Sequence, residues 1–325
     1  MKNDIKLRRK QQGMKGQKNI YSLSTVAMFK NVSSAECIEL TDEQLKQLQM
    51  TLLEILIDID LFCRKNGICY YLGGGSALGA VRHKGFIPWD DDIDINMPRR
   101  DYKRFIELFP KALGKKYWLH TPENTKNYGL LLARVRMKGT NVKTREDFFN
   151  DECGAFVDVF VVENVPDNKV LRAVHGFGSL TLGFLLSCRK FYRERNPLKK
   201  MLEAGAGNES LNFAYHVKTG IGFLTAIFPI EAWVHLNHWW NGLCKNDNST
   251  FVTVPAGRKH YCGEQIERAE IFPVVSRPFE GKMMFTARTD KYLRQLYGDY
   301  WEIPSREERE KHILFEPFQL DRTDK

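Results

Sequence analysis

The chain has 325 residues, 43% hydrophobic and 12% aromatic, enough to bury a sizeable core in about two domains or in one domain with insertions. A charged share of 27% excludes a disordered or collagen-like chain. The formal net charge of +9 sits in two segments, residues 1–18 (seven Lys/Arg against Asp4) and 189–200 (six against Glu194), which excludes a polyanion-binding surface over the whole body.

Residues 1–38 are basic, polar and without periodicity, and read as a flexible arm. Thr41 and Gln44 have the spacing of a capping box. Leu45, Leu48, Leu52, Leu56, Ile59 and Phe62 follow as the stripe of an amphipathic helix that Gly67 is placed to end. A short strand is expected over 68–72, broken by GGGS at 73–76, then a short helix over 76–83. Residues 92–97 alternate polar and apolar like a half-buried strand. Pro98 suits the first turn of a helix in which Tyr102, Phe105, Ile106 and Phe109 share a face up to Pro110. Further strands are expected at 130–136 and 155–162.

Residues 164–245 read as a helical insertion, and 246–325 as a segment completing a core begun at 39–163, with a helix near 287–297. The apolar runs 176–188 and 220–230 are too short to span a bilayer. Seven scattered cysteines without a CxxC pair fit a reducing compartment, and no signal-peptide pattern follows the basic start, so a cytoplasmic protein is expected.

The segment 72–95 holds most of the chemical information. On an extended chain Asp92 and Asp94 project from one face while Ile93 and Ile95 project from the other. Paired carboxylates repel unless a cation lies between them, and hard oxygen donors favour Mg²⁺ or Mn²⁺. Asp158, within the apolar FVDVF run, needs a partner if buried and is the candidate third acid. Gly74, Gly75 and Ser76 open a helix where backbone N–H groups can approach phosphate. The order of glycine turn, helix, acidic strand and later buried acid carries the reading, since GGGS alone matches neither a P-loop nor a dinucleotide fingerprint.

The run GGGSALGAVRHKGFIPWDDDIDINMPRRDYKRF at 73–105 resembles the LicD family, which includes the fukutin-related proteins. The resemblance extends to 134–140, to 156–160 and to FEG and YGDYWEIP at 279–281 and 297–304. It implies an α+β fold with a nucleotidyltransferase-like mixed sheet core, flanking helices and a helical insertion. It further implies transfer of phosphocholine or a polyol phosphate from a CDP-linked donor to a cell-surface glycan or its lipid-linked precursor, releasing CMP. Carried across by position, Asp92, Asp94 and Asp158 look like the metal triad. Asp90 and Asp91 are alternatives for a general base, and Arg82, His83, Lys84, Arg136 and His312 are candidates for substrate contact.

Competing readings are a nucleotidyltransferase adding NMP to a small molecule, and a nucleic-acid-binding module using the basic arm. The near-neutral body and an arm without aromatics before Tyr21 argue against nucleic acid. His235 and His238 read as packing residues rather than a zinc site, and Trp233, Trp239 and Trp240 as core or interfacial anchors. Arg189, Lys190, Arg193, Arg195, Lys199 and Lys200 are candidates to meet anionic headgroups if the insertion lies on an inner leaflet; a solvated rim is the other reading.

Overall fold

The computed structural model describes residues 37–203, 209–309 and 312–321, so residues 1–36 of the expected arm lie outside the described part. Its last two residues are not arm: strand β1, Cys37–Ile38, pairs with the C-terminal strand Leu314–Gln319. Helix α1, Asp42–Asn66, begins at the Thr41–Gln44 capping box and ends at Gly67, whose left-handed backbone (φ 57°) lets its N–H reach Arg64 and Cys63 carbonyls. Strand β2 is only Tyr71–Leu72. Helix α2, Gly74–Arg82, starts two residues earlier than expected, with glycines as its first turn. Strand β3, Asp94–Pro98, starts two residues later than expected and leads directly into helix α3, Arg99–Leu113. Pro98 caps that helix instead of entering it. Pro110 does not end it either, because its carbonyl still accepts from Gly114 N–H at 3.0 Å.

Strands β4 (Tyr117–His120), β5 (Ala133–Met137), β6 (Asn141–Thr144) and β7 (Phe156–Val165) follow. The insertion consists of α4 (Lys169–Arg193), α5 (Arg195–Glu203), α6 (Glu209–Leu224) and α7 (Ile230–Asn241). The chain returns through β8 (Phe251–Thr253), α8 (His260–Gly263), β9 (Ile266–Glu267), α9 (Arg268–Ile271), β10 (Val275–Phe279), β11 (Lys282–Thr286), α10 (Lys291–Tyr297) and β12 (Leu314–Gln319). The fold class is α+β. The main sheet runs β2-β3-β7-β5-β4, with β8 extending along β7 and β9 beside it. Among the described residues, the β3–β7 pair is the one parallel pair in this sheet.

The sheet has two chemically different faces. Ile95, Met97, Val135, Val157 and Val159 are fully buried on one face, in a core shared with Leu52, Leu56 and Ile59 of α1 and Phe105 and Phe109 of α3. Phe62 meets Phe105 and Phe109 edge-on at 5.8 and 5.2 Å. The alternate positions form a polar face: His120, Arg134, Asp158, Asp94 and Asn96 lie across four strands in the ladder registers His120↔Arg134, Arg134↔Asp158 and Asp94↔Asp158.

The insertion is fastened to this core by polar contacts. His175 bonds Tyr261 hydroxyl at 2.9 Å and Trp240 carbonyl at 2.8 Å. Lys190 pairs with Glu146, and Arg193 donates to Asn127 carbonyl at 2.6 Å. These contacts correct the reading of 189–200 as a solvent-facing basic patch. Lys190 is buried, Arg189 and Arg195 bind the Phe228 and Tyr192 carbonyls, and only Lys199 and Lys200 of the six are exposed. His238 is buried against Tyr102 and pairs with Glu123 at 3.1 Å, while His235 is exposed. Trp240 is half-buried and donates to His175 carbonyl at 2.9 Å, Trp233 packs against the small Leu186–Ile230–Val234 cluster, and Trp239 is 60% exposed.

Gly79 is the closest point between α2 and the loop that carries the acids. A Cβ there would lie 2.4 Å from Gly85 carbonyl oxygen, a backbone atom that cannot swing aside. Gly79→Ala is therefore expected to destabilise the fold by about 1–3 kcal/mol, measured by urea unfolding. An unchanged midpoint would show that the 83–91 loop is free to move.

Candidate active site

The parallel β3–β7 register sets Asp94 beside Asp158, and the antiparallel β5–β7 register sets Arg134 on the other side of Asp158. Arg134 donates to both Asp158 oxygens, Nε at 2.7 Å and Nη2 at 3.1 Å, with both side chains almost fully buried. The sequence did not single out Arg134. The candidate Arg136 lies one pair further along β5 and is instead committed to Asp147 at 2.6 Å. Both guanidinium groups rest on the Phe156 ring, at 4.1 and 5.1 Å, and His312 meets its edge at 5.9 Å.

Helix α2 points its first turn at these acids. Gly74 has φ +40°, and a Cβ there would lie 2.7 Å from Asp94 Oδ2; one on Gly75 would lie 2.7 Å from Asp90 Oδ2. Side chains at either position would push the carboxylates off the helix end. The Ser76 hydroxyl faces the strand: it is buried and accepts Asp94 N–H at 2.9 Å. Tyr292 hydroxyl accepts Gly74 N–H at 3.1 Å, tying α10 to the same turn.

The 90–92 loop adds three acids. Asp91 accepts His312 N–H at 2.9 Å and faces His312 Nδ1 at 2.9 Å, with Asp92 Oδ2 3.8 Å from the same nitrogen. Burial alone would lower the His312 pKa, but Asp91, through its charge and hydrogen bond, and Asp92 raise it to about 10. The ring is therefore an imidazolium at neutral pH. Burial raises Asp92 to about 6, with Asp91 and Asp158 adding to the shift and His312 opposing it. Asp94 is held well above the ordinary carboxylate range by burial and then by Asp92 and Asp158. Asp90 is raised likewise, by burial and then by Asp92, Asp91 and Asp94.

These groups line a cavity of about 650 Å³. Of the candidates from sequence, Asp90, Asp91, Asp92, Asp94, Asp158, Gly74, Gly75, Arg82 and His312 are on its wall. Ser76, His83, Lys84 and Arg136 are not among the residues lining it. His83 Nε2 accepts from Arg82, whose Nη1 donates to the Tyr300 and Glu302 carbonyls. Lys84 is exposed, with its carbonyl held by Glu280 N–H at 2.9 Å. The opposite wall was missed from sequence. It is built from Gly257, Arg258, His260 and Glu264 of the 254–264 loop, with Tyr297 of α10 and Arg309, which stacks on Trp89 at 3.8 Å. Burial raises the Glu264 carboxyl to about 7. The only sequence signal was GRKH, a basic run between Pro255 and Tyr261.

The donor set fits a hard divalent cation. Among the described residues one group of three has its ligand atoms within 4.8 Å of one another, Asp91, Asp92 and His312, which differs from the expected triad of Asp92, Asp94 and Asp158. Asp92 and Asp94 carry repulsion relieved only in part by His312 and Arg134, while each Asp158 oxygen keeps a lone-pair site beyond its bond to Arg134. The oxygen-only set Asp92, Asp94 and Asp158 suits Mg²⁺ or Mn²⁺, whereas the clustered group brings the His312 nitrogen beside two carboxylates.

Residues 67–174 match the LicD/FKTN/FKRP nucleotidyltransferase domain. The chain is 27% identical over 286 residues to the lipopolysaccharide cholinephosphotransferase LicD of Haemophilus influenzae, covering 85% of this chain and 98% of that one. It is 51% identical over 35 residues to human ribitol 5-phosphate transferase FKRP, covering 11% of this chain and 7% of that protein. An uncharacterised protein of Rickettsia typhi is 36% identical over 85 residues, 24% of this chain and 28% of its own.

Two substitutions separate the roles of neighbouring acids. Asp158→Asn should cost about 3–5 kcal/mol, because it leaves the Arg134 guanidinium buried without a counter-charge. Asp94→Asn should instead raise the melting temperature of metal-free protein at pH 7. A carboxyl with a raised folded pKa opposes folding once the pH exceeds its unfolded value, and the amide removes that charge. Thermal melts in chelator read both effects; a lowered transition for Asp94→Asn would contradict the repulsion.

Proposed function

Since the chain carries a LicD-family nucleotidyltransferase domain, we propose that it transfers a substituted phosphate from a CDP-linked donor to a glycan hydroxyl. The transferred group we assign is phosphocholine or a polyol phosphate, the acceptor is a cell-envelope glycan or its lipid-linked precursor, and the setting is cytoplasmic. The observation that carries this reading is the Asp94–Asp158 register facing the glycine-opened end of α2. It supports a site for phosphate oxygens with divalent metal beside them. The activities of two relatives, a cholinephosphotransferase and a ribitol 5-phosphate transferase, agree in reaction class.

Asp92 and Asp94, with Asp158 behind them, would hold Mg²⁺ or Mn²⁺, and the bound ion would neutralise charge on the diphosphate. Gly74 and Gly75 let the Asp94 and Asp90 carboxylates lie against the helix end, and Arg258 and Arg309, also on the cavity wall, would supply positive charge for the donor diphosphate. The acceptor oxygen bonds to the distal phosphorus as the bond from that phosphorus to the CMP oxygen breaks. The acceptor proton passes to a carboxylate. Asp90 suits this better than Asp91, since both Asp91 oxygens are engaged by His312. Transfer of NMP itself is the alternative outcome. The acid-lined cavity argues against a nucleic-acid-binding module.

The test is CMP release from a panel of CDP-linked donors with Mg²⁺, with mass analysis of the acceptor. We expect a gain of the substituted phosphate, with rates at least about 100-fold lower for Asp92→Asn and for Asp94→Asn. An acceptor that gains a nucleotide would transfer the assignment to the alternative, and turnover indifferent to chelator would remove the metal.

A further inference from the structure

We propose that the outer face of α4, α6 and α7 docks on a lipid bilayer, lying in its surface without crossing it. Of the 19 large hydrophobic side chains exposed among the described residues, 13 fall between 170 and 243. They include Phe177 at 74% and Ile227 at 78% exposure. Exposed apolar side chains concentrated on one part of the chain in this way point to an interaction face.

Three observations select lipid as the occupant. Helix α4 is long and apolar enough to cross a membrane, yet only 22% of its most apolar 18-residue stretch is buried in the protein. Between Lys169 and Arg193 the chain has no Asp or Glu, and the exposed positions from 170 to 181 offer one hydroxyl, Thr181, as their only polar side chain. Charge at the margins is mixed: exposed Lys169, Lys199 and Lys200 are suited to anionic headgroups, with Lys199 also 3.6 Å from Glu203 and Asp167 exposed beside Lys169.

The inner side of the same helix excludes crossing. His175 is held by Tyr261 and Trp240, Lys190 by Glu146, and a Cβ on Gly176 would already lie 3.0 Å from the Tyr261 ring. Leaving these partners would expose buried polar and charged groups to hydrocarbon. Helices α6 and α7, bent 92° to each other, likewise present side chains without forming a straight span. The geometry is that of an interfacial amphipathic surface. Tyr261 adjoins His260 on the cavity wall and bonds His175 on the inner side of α4, so the docking face lies on the far side of that helix from the site. Resting on the transfer reading, this surface would bring the site to a membrane-borne acceptor.

Flotation of the full chain with phosphatidylglycerol–phosphatidylcholine vesicles, without donor, tests the docking. The double variant Phe177→Glu/Ile227→Glu changes only exposed positions and should keep the melting transition and CMP release unchanged. We expect the wild-type chain to float and the variant's bound fraction to fall at least about tenfold. Wild-type protein that does not float, or a variant that floats equally, overturns the proposal. A dimer dissolved by the variant, without vesicle binding, would make the face a self-interface and also overturn it. Because no donor is present, loss of this proposal would leave the reaction reading untouched.

Discussion

The molecule is organised around a repulsion. Parallel strands lie roughly 5 Å apart, so neighbouring ionised carboxylates at Asp94 and Asp158 repel by roughly 1–3 kcal/mol before burial is counted. The surroundings relieve this in part. Arg134 cancels Asp158 from the next strand, and His312 supplies an imidazolium to Asp91 and Asp92. Glycines let the positive end of α2 approach Asp94 and Asp90, where any side chain would collide with them. The apolar face of the same sheet supplies the core that holds these groups in place. Stability and chemistry are therefore assigned to opposite sides of one layer.

Local signals in the sequence made the first half of this arrangement legible. The Thr41–Gln44 box, the stripe of α1 and the polar–apolar alternation before Pro98 depend on neighbours a few residues apart, and all appear in the structure. What stayed hidden depends on register. Arg134 and Arg136 both point from β5 to the polar face, but strand pairing decides that Arg134 meets Asp158 while Arg136 meets Asp147. The 254–264 loop was invisible as a wall because only the return of the chain after a long insertion brings it opposite the acids. Ser76 was read as a phosphate ligand, but the backbone N–H of Asp94 uses its hydroxyl, a pairing that spans 18 positions.

The insertion shows how burial can invert a composition argument. Residues 189–200 are strongly basic in sequence, yet Lys190 pairs with Glu146 of the segment between β6 and β7, and Glu194 draws in Arg193 and Arg145. Such pairs add little net stability once desolvation is counted, but breaking one strands a charge, so they fix orientation. With Lys190 turned inward and Arg189, Arg193 and Arg195 held by carbonyls, much of what α4 presents outward is hydrocarbon.

The cavity is closed by contacts between distant parts of the chain. Gly74 meets Tyr292 across 218 positions, and Asp91 meets His312 across 221. During synthesis at about 5–20 residues per second, the acidic loop therefore waits roughly 10–45 s for the histidine that balances it. A ribosome-bound chain holds half a pocket for that interval, with its acids facing water instead of a wall. The pocket is complete only once residue 312 has been made, so a premature stop upstream of residue 292 leaves a product lacking both closing contacts.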